Sequence, residues 1–422
     1  MRYLPLANKD RKKMLDFIGV KDVYDLYTDI PKDAFAKEFN LPDNLTEQEV
    51  IKYFTKLSNK NTPAGETSFF LGGGCYRHFI PSAVDHIIQR AEFLTSYTPY
   101  QPEISQGTLA VIFEYQSLIC SLTGMDIANA SLYDGATAVV EAVLMAKRIN
   151  KKKHNIVIAN ELNPDYERVL KTYLENEKVF HDLDTDDVAA IIVQSPDFTG
   201  TPHSLAEYRK ICDEKGALLI VVNSEIVSYG LLPAPVEADI VVGEAQSLGV
   251  SMNYGGPHLG YFACKEKYVR QIPGRICGLT TDAEGKEGYV LTLNAREQHI
   301  RRQKATSNIC SNQGLNMVAF TIHLALLGRN GLKKLAKLNH YKAKTLRDKL
   351  AATGKVKLVN DKFFNEFVIE VPVNADEFLK KMLAENVMAG IKVSDNQVLV
   401  TATELNSNED FDNYANALNK IL

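Results

Sequence analysis

A chain of 422 residues exceeds what one hydrophobic core usually serves, so two or three folding units are expected. Its 45% hydrophobic and 24% charged content excludes disorder. A net charge of -4 with interspersed signs gives no basic field for nucleic acid and no polybasic face for anionic lipid. The opening MRYLPLANKDRKKM lacks the apolar core of a signal peptide, and no later run is long and apolar enough to cross a bilayer, so a cytoplasmic protein is expected. Cys75, Cys120, Cys212, Cys264, Cys277 and Cys310 lie far apart with no C-x-x-C pair and read as reduced, mostly buried thiols. The nine histidines show no metal-ligand spacing, and no metal site is expected.

Residues 1–65 read as an arm of short helices, with a capping box from Thr46 to Glu49 ahead of VIKYFTKL. From 66 to 310 the runs NIVIAN, AAIIVQ, ALLIVV and DIVVGE alternate with the helical segments DYERVLKTYLENEK and SLAEYRKICDEKG, the second opening on a Ser204 to Glu207 capping box. Such alternation predicts an α/β domain whose mostly parallel sheet is covered on both faces. From 311 to 422 an apolar helix, a long charged helix, three strand-like runs and further helices predict a smaller C-terminal α/β domain.

Ligands of open α/β sheets collect at the carboxyl ends of the strands, which directs attention to the loops there. In SLYDGATAVV, Asp134 caps a helix whose first residues Gly135, Ala136 and Thr137 could hold an anion, or the segment is simply a cap. Glu225, just past a strand end, could hold a pyridinium nitrogen protonated, or serve as a cap or surface acid. Gly255 and Gly256 before Pro257 allow either close approach to a ligand or a tight turn. Arg296, His299, Arg301, Arg302 and Lys304 form either an anion or subunit-contact patch or a solvated helix face. The prolines of YTPYQPEISQG present Tyr97 and Tyr100 as interface anchors or as a site wall. LGGGCYRHF lacks the strand, spacing and downstream acid of a dinucleotide site, and no nucleophile elbow is present.

Taken together, FLGGGCYRHFIP, FLTSYTPYQPEISQG, FEYQ, NASLYDGATA, GEAQSLG, NYGGPHLG, PGRICG and REQHIRRQKATSNIC resemble the glycine cleavage system P-protein, glycine decarboxylase. The resemblance runs through most of the chain and is to the amino-terminal half of the single-chain form, or to the alpha subunit of the form split in two. It implies a type I pyridoxal-phosphate (PLP) transferase fold. It also implies an activity in which glycine is decarboxylated through that cofactor and the aminomethyl group passes to the lipoyl arm of H-protein.

The family chemistry needs a lysine amine after the strand matching DIVVGE, and this sequence has Gln246 there. The nearest lysines, Lys265 and Lys267, follow the next strand. Gly135, Ala136, Thr137, Glu225 and Gln246 then mark a relic pocket, and the resemblance assigns the cofactor and its lysine to a homologous beta subunit in an α2β2 assembly. Tyr97, Tyr100 and His78 are the residues that the resemblance offers for reaching the partner's site. Glu225 in place of aspartate and Asn294 in place of glutamine depart from the family pattern. Alternatives are an autonomous PLP-dependent lyase or transferase using another lysine, and a purely structural scaffold.

Overall fold

The computed structural model describes residues 6–36, 38, 40–175 and 178–422, which divide into one unit ending at Thr62 and a second spanning Pro63–Leu422. In the first, α1 (Asn8–Ile18) and α2 (Glu47–Ser58) are joined by short turns. The capping box at α2 forms as read from sequence: the Thr46 amide donates to the Glu49 carboxylate at 2.8 Å, and the Glu49 amide donates back to the Thr46 hydroxyl at 3.4 Å. No described residue of this unit is buried.

The second unit opens with β1 (Ser68–Phe69), the short helices α3 (Ser82–Ile88) and α4 (Ala91–Leu94), and the long α5 (Gln106–Thr123). An edge strand β2 (Ile127–Ala128) and α6 (Gly135–Ile149) follow. The predicted apolar runs then become β3 (Asn155–Ile158), β5 (Val188–Gln194), β6 (Leu218–Asn223) and β7 (Ile240–Glu244), with a short β4 (Val179–Phe180) at the edge. Helices α7 (Pro164–Leu174) and α8 (Ala206–Lys215) make the crossovers. The capping box expected at Ser204 does not form, because the chain already turns helically at Leu205 and leaves Ser204 outside the cap position.

GYFAC becomes β8 (Gly260–Cys264), which completes a seven-stranded sheet of order β2-β8-β7-β6-β5-β3-β4. Strands β3 to β7 are mutually parallel and β8 runs antiparallel to β7. Every residue of β5, β6, β7 and β8 is buried, as expected of strands covered on both faces. One face packs against α5, α8 and α10 (Gly314–Ala352), the other against α6 and α7.

A hairpin of β9 (Ile276–Thr281) and β10 (Glu287–Thr292) and a single turn, α9 (Gln298–Arg301), precede α10, which breaks at Gly328. Beyond α10 lie β11 (Lys357–Leu358), β12 (Glu366–Glu370), α11 (Ala375–Ala384), β13 (Val387–Met388), β14 (Ile391–Lys392), β15 (Gln397–Thr401) and α12 (Asn408–Ile421). A four-stranded antiparallel sheet of order β11-β12-β15-β14 forms here with its own apolar core of Phe367, Phe378, Phe411 and Tyr414. β1 pairs in parallel with β13 as a separate two-stranded sheet, which fastens the chain just after residue 67 to the C-terminal part before it crosses to the large sheet.

Candidate functional site

The carboxyl ends of β5, β6 and β7, the amino end of β8 and the start of α6 meet at one edge of the large sheet. Glu244, the last residue of β7, organises this edge. Its Oε2 accepts from the Gly135 amide at 3.0 Å, and its Oε1 accepts from the amides of Gln246 at 3.0 Å and Leu259 at 2.8 Å. Burial raises the Glu244 carboxyl above its ordinary range, against the pull of His258 and these amides. Asp134 caps α6, its Oδ1 accepting from the Thr137 amide at 2.7 Å, while the Thr137 hydroxyl turns back to the Asp134 carbonyl. The first turn of α6 therefore spends donors on Glu244 and Asp134; Ala136 is half-buried beside them.

Gln246 is 2% exposed and committed at both ends of its amide: Oε1 accepts from the Tyr76 amide at 3.1 Å, and Nε2 donates to the Val250 carbonyl at 2.5 Å. Glu225 is buried too, so neither a surface acid nor a free ligand. Its Oε1 caps the following turn by accepting from the Val227 amide at 3.0 Å, and its Oε2 accepts from His78 Nε2 at 3.0 Å.

What fills the edge is the glycine-rich segment 72–78. Gly73 donates its amide to Glu366 at 2.7 Å, and the Tyr76 hydroxyl donates to the other Glu366 oxygen at 2.7 Å. Gly74 adopts φ +105, and a Cβ there would meet Asn163 Nδ2 at 2.8 Å; at Gly72 a Cβ would lie 2.1 Å from the Thr401 hydroxyl. The glycines are thus a close-packing requirement between the two sheets. The Cys75 thiol, desolvated and facing Glu244 and Glu225, is pushed up to about 11, which keeps it in the neutral thiol form at neutral pH.

His78 ends this segment, buried and clamped: Nε2 on Glu225 and Nδ1 on Glu404 at 2.9 Å. Burial disfavours its charge, but the two carboxylates outweigh that and lift the imidazole to about 10, so it donates from both nitrogens as an imidazolium. Glu404 is driven the other way, to about 2: burial opposes this, and the hydrogen bond and charge of His78 prevail. Asn339 Nδ2 and the Phe79 amide also donate to Glu404, at 3.0 and 2.7 Å. The expectation that His78 reaches outward to a partner does not fit this placement; the side chain is spent inside its own chain.

Lys265 and Lys267 face Asp239 at 3.9 and 3.5 Å. Asp239 immediately precedes β7, whereas Gln246 follows its far end, roughly 16 Å away along a strand of this length. Neither amine stands in for a lysine at Gln246.

Tyr97 and Tyr100 are 81% and 54% exposed. Arg275, from the PGRICG motif and 6% exposed, places its guanidinium 5.7 Å over the Tyr100 ring, with Nη1 donating to Asn312 Oδ1 and Nη2 to the Cys310 carbonyl, both at 3.0 Å. His299 stacks edge-on against the same tyrosine at 5.5 Å. Arg296, Arg301 and Lys304 join Arg270 around an adjoining cavity of ≈ 300 Å³, and Arg296 Nε and Nη2 are buried without a protein acceptor. His299, Arg301, Arg302 and Lys304 are exposed on α9 and the turn after it, as the solvated-face reading has it, and Arg296 alone of the five is drawn inward. Gly255 and Gly256, both at positive φ, sit in an exposed turn; a Cβ at Gly255 would meet nothing. Arg275, Glu244, Glu366 and Glu404 escaped the sequence signals; Arg275 stands in PGRICG and Glu244 in GEAQSLG, motifs that could have drawn attention, whereas Glu366 and Glu404 stand in none.

Comparison with known proteins places this geometry. The chain is 48% identical to the "Probable glycine dehydrogenase (decarboxylating) subunit 1" of Caulobacter sp. (strain K31), covering 100% of this chain and 98% of that one. It is also 48% identical to the same-named protein of Maricaulis maris, covering 100% of both. A crystal structure of glycine decarboxylase (P-protein) of the glycine cleavage system in inhibitor-bound form superposes with a TM-score of 0.94 at 37% identity, covering 100% of each chain. A Lactobacillus brevis glutamate decarboxylase shares the fold alone, with a TM-score of 0.67 at 13% identity over 92% of this chain and 96% of that one. The family model for the glycine cleavage system P-protein matches residues 1–418, and this chain belongs to that family.

Proposed function

We propose that this chain is subunit 1 of a two-chain glycine decarboxylase, and that a homologous lysine-bearing subunit holds the pyridoxal phosphate. The carrying observation is Gln246: the position after β7 holds a carboxamide, which is no nucleophile, and both ends of it are bonded to backbone. The other groups the cofactor would need are also taken, Glu225 by His78 and the Gly135 amide by Glu244, so the crevice of this chain does not fit the group. Bound to the partner, the cofactor would supply the electron sink for decarboxylating glycine, with the lipoyl arm of H-protein as the acceptor of the aminomethyl group.

The chain's own contribution is then on its outer surface. Tyr97 and Tyr100 offer rigid aromatic area at low entropic cost, and Arg275 and His299 fix the Tyr100 ring from behind. The amino-terminal unit adds support: α2 exposes Ile51, Tyr53 and Phe54 at more than half of their area, an apolar stripe that a working assembly would cover. The direct test is borohydride reduction of the reconstituted pair followed by peptide mass mapping. The cofactor is expected on a lysine of the second chain; recovery on a lysine of this one would refute the assignment.

A further inference from the structure

We infer that segment 72–78 is a permanent internal occupant of the cofactor crevice, so that this chain would refuse pyridoxal phosphate even with the lysine restored. The inference concerns this chain alone and stands or falls separately from the partner's role.

A pyridoxal phosphate site in an open α/β sheet needs three things at the strand ends: an amine, an acid facing the protonated ring nitrogen, and free amides at a helix start for the phosphate. Here each receiving group already has its counterpart within the chain. The acid after β6, Glu225, holds the cationic Nε2–H of His78 at 3.0 Å, a hydrogen bond of the kind a pyridinium would make. The first amide of α6, from Gly135, points at a carboxylate, Glu244, at 3.0 Å in place of a phosphate. The residue after β7, Gln246, binds the Tyr76 amide of the segment that lies across the crevice.

Electrostatics reinforces the point. Besides Glu225 and Glu244, the carboxylates of Glu366 and Glu404 border the segment, and His78 is the cation set among them. A phosphate dianion entering at Gly135 would displace Glu244 from its amide and add charge of the wrong sign to a buried acidic cluster. The occupant is also anchored from both sides. Glu225 and Gln246, just past β6 and β7 of the large sheet, hold His78 and Tyr76, whereas Glu366 of β12 and Glu404 after β15 hold Gly73, Tyr76 and His78. Opening the crevice therefore requires unpairing bonds in both halves of the unit, which a lysine at one position does not supply.

The test uses the full-length chain, as the wild type and as Gln246→Lys, titrated with pyridoxal phosphate itself. Selectively ¹⁵N-labelled histidine reports His78 as a protonated imidazolium in both proteins. The inference predicts that its signals stay unmoved by the cofactor, and that after borohydride reduction the variant shows no adduct at position 246 and no more adduct elsewhere than wild type. A near-stoichiometric adduct at position 246 would overturn it. Should the variant lose its fold, the wild-type titration decides: unmoved His78 signals uphold the internal occupant, and loss or shift of those signals on saturation overturns it.

Discussion

The crevice at the strand ends and the surface around Tyr100 are both rich in charged and aromatic groups, yet they are finished to different degrees. In the crevice, each charge has its counterpart in the same chain: His78 lies between Glu225 and Glu404, and Glu366 takes donors from Gly73, Tyr76 and Thr401. Around Tyr100, Arg296 keeps two buried donors without acceptors, Arg275 Nε has no hydrogen bond and only the Glu297 carboxylate at 4.0 Å, and Tyr97 stands almost wholly in solvent. Buried donors left open inside a folded chain are costly unless something outside completes them. The contrast teaches that the strand-end crevice is closed by the chain's own groups, whereas the surface around Tyr100 is left open.

The largest effect should follow from cutting the clamp. His78→Ala removes a buried cation between two carboxylates and is expected to cost ~3–5 kcal/mol, read as a lower denaturant midpoint. The wild type carries the matching pH signature. The folded imidazole sits at about 10, above its unfolded value of roughly 6.5, so its stabilisation is fully present below that unfolded value and is lost as pH rises through about 10. Glu404, folded at about 2, contributes above its unfolded value of roughly 4.3 and loses that contribution as pH falls through about 2. Stability that stayed flat from pH 7 to 10 in the wild type, or fell equally in His78→Ala, would break the contrast at its buried end.

Gln246→Ala is expected to be milder, about 1–3 kcal/mol, because it leaves the buried Tyr76 amide without its acceptor and the Val250 carbonyl without its donor. At the surface, stability and turnover should separate. Tyr97→Ala should change the chain's stability by less than about 0.5 kcal/mol, yet lower turnover of the reconstituted pair about tenfold or more if the ring anchors or lines the shared site. Assembly with undiminished turnover would make that surface scaffold only. Smallest of all, Lys265→Ala and Lys267→Ala should leave turnover unchanged and shift stability by under about 0.5 kcal/mol, since both amines serve an ion pair with Asp239 at the wrong end of β7.

Much of this was legible in the sequence. Four apolar runs became four parallel central strands because a strand buried on both faces must be apolar throughout, and that signature is local. Asp134 and Thr46 capped their helices because a cap needs only residues three apart. The direction of β8 was not legible: GYFAC is as apolar as its parallel neighbours, and only the tight passage through Gly255 to Leu259 turns it round. Nor was the clamp legible, since Glu225 and Glu404 lie 147 and 326 residues from His78 and no periodicity joins them. The glycine triplet was visible, but its meaning, backbone threaded between two sheets, needed the neighbours it touches.

The central claim, that the chain acts only in a pair, is tested most directly by glycine-dependent exchange of labelled bicarbonate, with pyridoxal phosphate and lipoylated H-protein supplied. The account predicts exchange when this chain is mixed with the lysine-bearing subunit and none above background when it is assayed alone. Exchange by the purified chain on its own would contradict it.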